Sequence, residues 1–428
     1  MERRTFIRSI AGAAAGAGLL SSMTVPSPAE PAAPWPGPPQ DPNDERFWKF
    51  VRSQFPLSTE RIYLNTGGLG ASPYPVIQAV QSKMNELEGM SETGHTEQLW
   101  KEIKNVMARL LGCDEGEIAL VRNTTEGINI VANGLPIEKG DEIILSTQEH
   151  VANALTWLAL ARRVGAQLRL FEPSTISQKE NLDRIERLIT RNTRVISIPH
   201  AVTTTGLILP VREIAELARA KKIWYFVDGA QTPGMFRFSL HEMGCDAFAA
   251  SGHKWLMGPK ETGLLYVRKE MLDTIQAKHI GAYSDGGYDF LKGTMELNPT
   301  AQRYEYGTVS VPLRVGLKAA FEFIDRIGID TIWKRDQALS TRLFNGLRDI
   351  PHVKVLSPAD DSMRSAMITF MHETIPHLKL QEHLNTFNLR TRSVSEGGLA
   401  ALRVSPHIYN SFEEVETVLE GVQTARPS

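Results

Sequence analysis

Residues 224–254 read WYFVDGAQTPGMFRFSLHEMGCDAFAASGHK, and two short runs inside this stretch set the fold class. Trp224 to Val227 is aromatic and aliphatic; Asp246 to Ala250 is mostly Ala and Phe. Short apolar runs bounded by turn signals are buried strands. Each run stops at a polar cluster, Asp228-Gly-Ala-Gln231 after the first and Ser251-Gly-His-Lys254 after the second.

The same punctuation repeats on both sides. Strands are expected at Ile118–Val121, Glu142–Ser146, Gln167–Phe171, Arg194–Ile198 and Thr262–Val267. Helical spacing falls between them, at Gly127–Ala132, Ala152–Val164, Leu182–Thr190 and Val211–Lys222. Strand–helix alternation predicts an α/β fold with a mostly parallel central sheet covered on both faces. Ligands in such sheets bind beyond the carboxyl ends of the strands. From Val311 the pattern changes to a long helix and then a mixed helix-and-strand region. Four segments are therefore expected: a leader at 1–33, a joining segment at 34–75, a large domain at 76–310 and a small domain at 311–428.

Composition narrows the partners. The chain has 428 residues, 42% of them apolar, enough for a large domain and a smaller one. It carries 47 basic and 49 acidic side chains, a net charge of -2, so no nucleic-acid or acidic-lipid partner is expected. Cys113 and Cys245 are far apart and give neither metal spacing nor a disulfide framework. No metal site is expected from the scattered histidines. Met257-Gly-Pro-Lys-Glu-Thr262 lacks the phosphate-loop spacing.

The N-terminus reads as an export signal. Arg3-Arg4 and Phe6-Ile7 precede a Gly/Ala-rich apolar stretch from Ile10 to Leu20 and a Pro/Ala-rich tract to about Pro39. That order resembles a twin-arginine signal. It predicts the twin-arginine translocase as a transient partner and a periplasmic or extracytoplasmic destination. The apolar stretch is too short and glycine-rich to span a membrane.

The strand ends supply the chemistry. Asp228 and Lys254, each just past a strand, are the pair that pyridoxal 5'-phosphate (PLP) needs: an amine for its aldehyde and a carboxylate for its ring nitrogen. Asn123-Thr-Thr-Glu-Gly127 opens a helix, where free N–H groups and hydroxyls favour phosphate. His150 follows a third strand and could stack on a flat ring. Thr203 follows a fourth, where its hydroxyl could touch a ring substituent. Any one of these alone reads as an ordinary surface or capping residue; their convergence at successive strand ends is the signal.

Taken together, these motifs resemble the class V aminotransferase family, which includes cysteine desulfurases and isopenicillin-N-epimerase-like enzymes. The resemblance runs from about Tyr63 to about Val418. It is carried by Tyr63-Leu-Asn-Thr-Gly67, Asn123-Thr-Thr-Glu-Gly-Ile-Asn129, Glu149-His150, Val227-Asp-Gly-Ala-Gln231, Ser251-Gly-His-Lys-Trp-Leu-Met-Gly-Pro259 and Leu402-Arg-Val-Ser405 with Tyr409-Asn-Ser-Phe-Glu413. It implies a PLP fold of type I and an amino-acid or peptide substrate. Lys254 would be the Schiff-base lysine and proton shuttle, and Asp228 the partner of the ring nitrogen. His150 would stack on the ring, and Gln231 and Thr203 would lie near its 3-hydroxyl. Thr124, Thr125, Ser251 and His253 would hold the phosphate. Arg403, with Asn65, would bind the substrate carboxylate. Thr308, in Tyr306-Gly-Thr308, would reach the phosphate of a neighbouring subunit, which implies a homodimer.

The resemblance leaves the reaction open between transamination, epimerisation and elimination, with transamination as the main expectation. Cysteine desulfurases need a mobile cysteine near the C-terminal region, and Leu389 to Gly397 contains none. Persulfide chemistry of that kind is therefore not expected. Asn65-Thr-Gly and Asp228-Gly-Ala lean towards the epimerase-like branch, and the export signal is similar to that of periplasmic pyoverdine-tailoring members of the family.

Overall fold

The computed structural model describes residues 35–37, 39, 41 and 43–427. The expected leader at 1–33, with Arg3 and Arg4, lies outside the described residues. The chain divides into a unit ending at Gly37 and a unit from Pro38 onward; the second carries all that follows.

Its centre is a seven-stranded sheet. In chain order the strands are β1 (Ile118–Val121), β2 (Glu142–Ser146), β3 (Gln167–Phe171), β4 (Thr193–Pro199), β5 (Trp224–Asp228), β6 (Ala247–Ser251) and β7 (Gly263–Val267). Their spatial order is β1-β7-β6-β5-β4-β2-β3. The β3-β2-β4-β5-β6 run is parallel, and β7 alone runs antiparallel to both its neighbours. Strands β2, β6 and β7 are buried at every position. That is what continuous apolar runs predict for a sheet covered on both faces. Strand β3 is at the edge and is largely exposed, apart from Phe171.

The helices between the strands follow the sequence pattern, with shifted ends. They are α1 (Thr124–Gly134), α2 (Val151–Val164), α3 (Gln178–Leu188) and α4 (Val211–Ala220). Helix α3 starts earlier than its apolar spacing suggests. Ser177 caps it by accepting from the Glu180 N–H, and its first turn is polar, so the hydrophobic period is silent there. Gly127 lets α1 approach the sheet, since a Cβ at this position would come within 2.6 Å of the Ala249 Cβ.

A second, four-stranded antiparallel sheet contains β8 (Val353–Val355), β9 (Ile368–His372), β10 (Arg392–Val394) and β11 (Ala401–Val404), in the order β8-β9-β11-β10. It has its own apolar core, which includes Phe370, Leu402 and Val418. The segment before residue 75 reaches this sheet region: Ile62–Tyr63 pairs with Leu389–Arg390, and Asn65 bridges to Ser405. Helix α5 (Val311–Ile327), which opens the C-terminal region, packs against helices Tyr74–Met90 and Glu97–Leu111. Helix α6 (Ile329–Arg348) follows it and packs on β8 and β9. A hairpin at Asp285–Leu297 has no counterpart in the sequence reading and exposes Tyr288, Phe290 and Leu291. Among the described residues no helix is long and apolar enough to cross a membrane.

Candidate active site

Parallel registry aligns the strand ends. Pro199 of β4 is paired with Asp228 of β5, and Asp228 with Ala249 of β6. The turns after β2, β4, β5 and β6 therefore open at one edge of the sheet. There they enclose a cavity of about 290 Å³.

Helix α1 forms one wall. Asn123 caps it by accepting from the Glu126 N–H at 2.9 Å, and Thr124 and Thr125 at its start line the cavity. The Thr124 and Ser251 hydroxyls lie 2.7 Å apart, and the Thr124 N–H donates to Ser251 Oγ. His253 lines the same wall, and its buried Nδ1 has no hydrogen-bond partner. Burial, with Lys254 and Lys260 nearby, lowers the His253 pKa to about 4. A helix start, two hydroxyls and an unpartnered ring nitrogen fit a phosphate group.

Lys254 is buried opposite Asp228. Burial lowers its pKa to about 8; Asp228 opposes this, while Arg403 and Arg392 add to it. An amine with that pKa is partly neutral near pH 7 and can act as nucleophile or base. Burial raises the Asp228 carboxyl, whereas the Ala230 N–H, donating at 2.9 Å, and Lys254 pull it back. His150 caps α2, its Nδ1 accepting from the Ala152 N–H at 3.2 Å. The ring proton therefore resides on Nε2. Burial, then the charges of Lys254 and Arg392, lower its pKa to about 4, so the ring stays neutral. Glu149, one residue before it, is locked by the Ser146 N–H and the Asn153 amide, and burial raises its pKa to about 8.

Of the residues singled out in the sequence, Thr124, Thr125, His150, Thr203, Asp228, Ser251, His253 and Lys254 line this cavity. Gln231 stands behind them. Its amide donates to the Gly67 carbonyl and to Thr203 Oγ1 and accepts from the Trp255 indole. Those hydrogens would have to be released for Gln231 to reach a ring hydroxyl. Arg403 is fully buried. It donates to the carbonyl and hydroxyl of Thr203 and to Asn65 Oδ1. It lies directly behind cavity-lining Gly67, where a Cβ would come within 2.9 Å of its Nη2. Thr308 is elsewhere, in a pocket with Arg122, Glu126 and Tyr306.

The glycine-rich loop Thr66–Gly70 also belongs to the site. Gly67 and Gly68 line the cavity, and the Gly70 N–H donates to the His253 carbonyl at 2.6 Å. A Cβ on Gly70 would meet the Lys254 carbonyl at 1.9 Å, so only glycine lets this loop close over the lysine. Arg392 also lines the cavity and was missed. Cys245 is buried two residues before β6 starts, at the strand's opposite end from Lys254. At about 3.3 Å per residue the strand separates them by well over a side chain's reach. Cys113 follows the Glu97–Leu111 helix and does not line the cavity.

Known proteins resemble this chain in sequence and in fold. A family model described as aminotransferase class-V matches residues 62–418. A probable cysteine desulfurase of Pyrococcus abyssi is 28% identical over 386 residues, covering 86% of this chain and 95% of that protein. The apo structure of a cysteine desulfurase from Thermococcus onnurineus NA1 superposes with a TM-score of 0.78 at 26% identity, covering 88% of this chain and 97% of the other. The cystine C–S lyase C-DES, solved with its product cysteine persulfide, superposes with a TM-score of 0.79 at 25% identity, covering 87% and 99%. These relatives lie on the desulfurase and lyase side of the family, not on the epimerase-like side towards which the sequence motifs were expected to lean.

Proposed function

This chain belongs to the aminotransferase class-V family of PLP-dependent enzymes, and on that premise we propose that it removes the α-proton of an amino-acid substrate and transfers its amino group. The observation that carries this reading is the buried amine of Lys254 lining one cavity together with Asp228. Thr124, Thr125, Ser251 and His253 would hold the phosphate, Asp228 the ring nitrogen, and the neutral face of His150 would cover the ring. Bound PLP supplies an electron-accepting ring that stabilises negative charge at the substrate α-carbon. Lys254, with a pKa of about 8, takes the α-proton near neutral pH and delivers it onward. Arg403 is the receptor for the α-carboxylate, a group that a planar guanidinium suits. The loop 65–70 closes over the lysine and limits water.

Transamination is favoured because it needs a single proton carrier, and Lys254 suffices. Persulfide formation on a protein cysteine would need a thiol beside Lys254, and neither Cys113 nor Cys245 is there. Elimination of a sulfur group is a second reading, supported by the likeness to the C–S lyase.

The test is a panel of D- and L-amino acids offered to the holoenzyme in D₂O with a 2-oxo acid acceptor. Transamination predicts transfer of a ¹⁵N label from donor to acceptor. It also predicts α-proton loss that speeds up with pH to about 8 and then levels off. Pyruvate and ammonia formed without the acceptor would replace transfer by elimination. Absence of α-proton exchange with every amino acid would overturn the proposal.

A homodimer and export by the twin-arginine route belong to the same proposal. A monomeric mass for the active enzyme in solution would contradict the dimer. Arg3→Lys with Arg4→Lys is expected to hold the protein in the cytoplasm, and unaltered periplasmic accumulation would count against the route.

A further inference from the structure

Arg392 and Arg403 are direct partners in the antiparallel β10–β11 ladder, so both side chains leave the same face of the sheet. Like charges placed opposite each other repel, and a nearby anion offsets that repulsion. One anion is present. Glu396, four residues along the chain, pairs with Nη2 of Arg392. Burial works against the charge on Glu396, yet the hydrogen bond from Arg392 holds its pKa below the ordinary value.

That pairing leaves half of the guanidinium free. Nη1 of Arg392 is buried and has no hydrogen-bond partner, and the residue lines the cavity shared with Lys254, His150 and Thr203. A buried guanidinium nitrogen without an acceptor is costly. The groups charged around this end of the cavity are Lys254, Arg392 and Arg403 against Asp228 and Glu396, an excess of one positive charge. Arg403 is already taken as the receptor of the α-carboxylate, which leaves Arg392 without a task in the reaction as described.

We propose that Arg392 receives a second carboxylate, on the substrate's side chain, so that the enzyme acts on amino acids bearing two carboxylates. The inference rests on the reading of Arg403 as the α-carboxylate receptor. The two receptors stand on neighbouring strands, and Glu396 holds the second one in place through its other nitrogen. A neutral side chain would leave Nη1 unpaired in the closed site, and this penalty is what discriminates against it.

The holoenzyme is titrated calorimetrically with succinate, glutarate and butyrate, which have no amino group and cannot react. A dicarboxylate is expected to bind about 10- to 100-fold more tightly than butyrate, the usual range for a charge-assisted contact. Arg392→Gln is expected to erase that difference. Equal affinity of butyrate and both dicarboxylates in the parent protein would overturn the proposal without reference to any variant. A dicarboxylate preference that survives Arg392→Gln would overturn it as well. Neither result touches the proposed function, which is tested separately by α-proton exchange and by transfer of the amino group.

Discussion

Lys254→Ala is expected to lower turnover of any amine substrate by at least about 10⁴-fold, because the variant loses both the attachment point and the proton carrier. The purified variant should also lack the visible absorption of the parent holoprotein. The fold should survive. Lys254 is buried with a lowered pKa, so its charged form is an unfavourable element of the site, and an alanine removes that cost. Near-native unfolding behaviour with no turnover is the expected pair of results. An unchanged absorption band would show that the amine holding the cofactor lies elsewhere.

His407→Ala is expected to act on stability, at about 3–5 kcal/mol. His407 and Asp336 are both fully buried. The ring Nε2 donates to the Trp255 carbonyl at 3.2 Å, and Nδ1 lies 2.9 Å from Asp336 Oδ2. Burial raises the Asp336 carboxyl, while the charge and hydrogen bond of His407 pull it back. The ring thus ties α6 to the turn that follows Lys254. Truncation leaves the Asp336 carboxyl buried without a partner and opens a cavity beside Trp255. The shift is read from urea unfolding. Adding Asp336→Ala to His407→Ala should cost less than the sum of the two single changes, because the stranded acid is gone. Strict additivity would contradict this coupling.

How much could be seen in the sequence follows from how local each feature is. The sheet was legible because strands buried on both faces are nearly all apolar, as in residues 247–250 and Gly263–Val267. The site was legible where a residue directly follows such a strand, since chain connectivity alone carries Asp228, Ser251 and Lys254 to the same edge. Arg403 was found through its local motif, but its depth was not: only the contacts with Thr203 and Asn65, far away in sequence, place it behind the cavity wall. Arg392 was invisible for a related reason. It sits in a short strand close to another arginine, Arg390, and nothing local separates it from a solvated side chain. Its position depends on register with β11 and on the following loop, where Gly397 lies near Thr147 and Gln148. The Asp285–Leu297 hairpin escaped because Gly286-Gly287 and the exposed Tyr288, Phe290 and Leu291 break the alternation that marks a half-buried strand.

The central claim is that Lys254 is the residue that binds PLP. The most direct measurement is borohydride reduction of the holoprotein, proteolysis, and mass spectrometry of the cofactor-bearing peptide. The account predicts one modified site, Lys254, in the peptide that contains Ser251-Gly-His-Lys254. Modification of any other lysine, or a protein that takes up no cofactor, would contradict it.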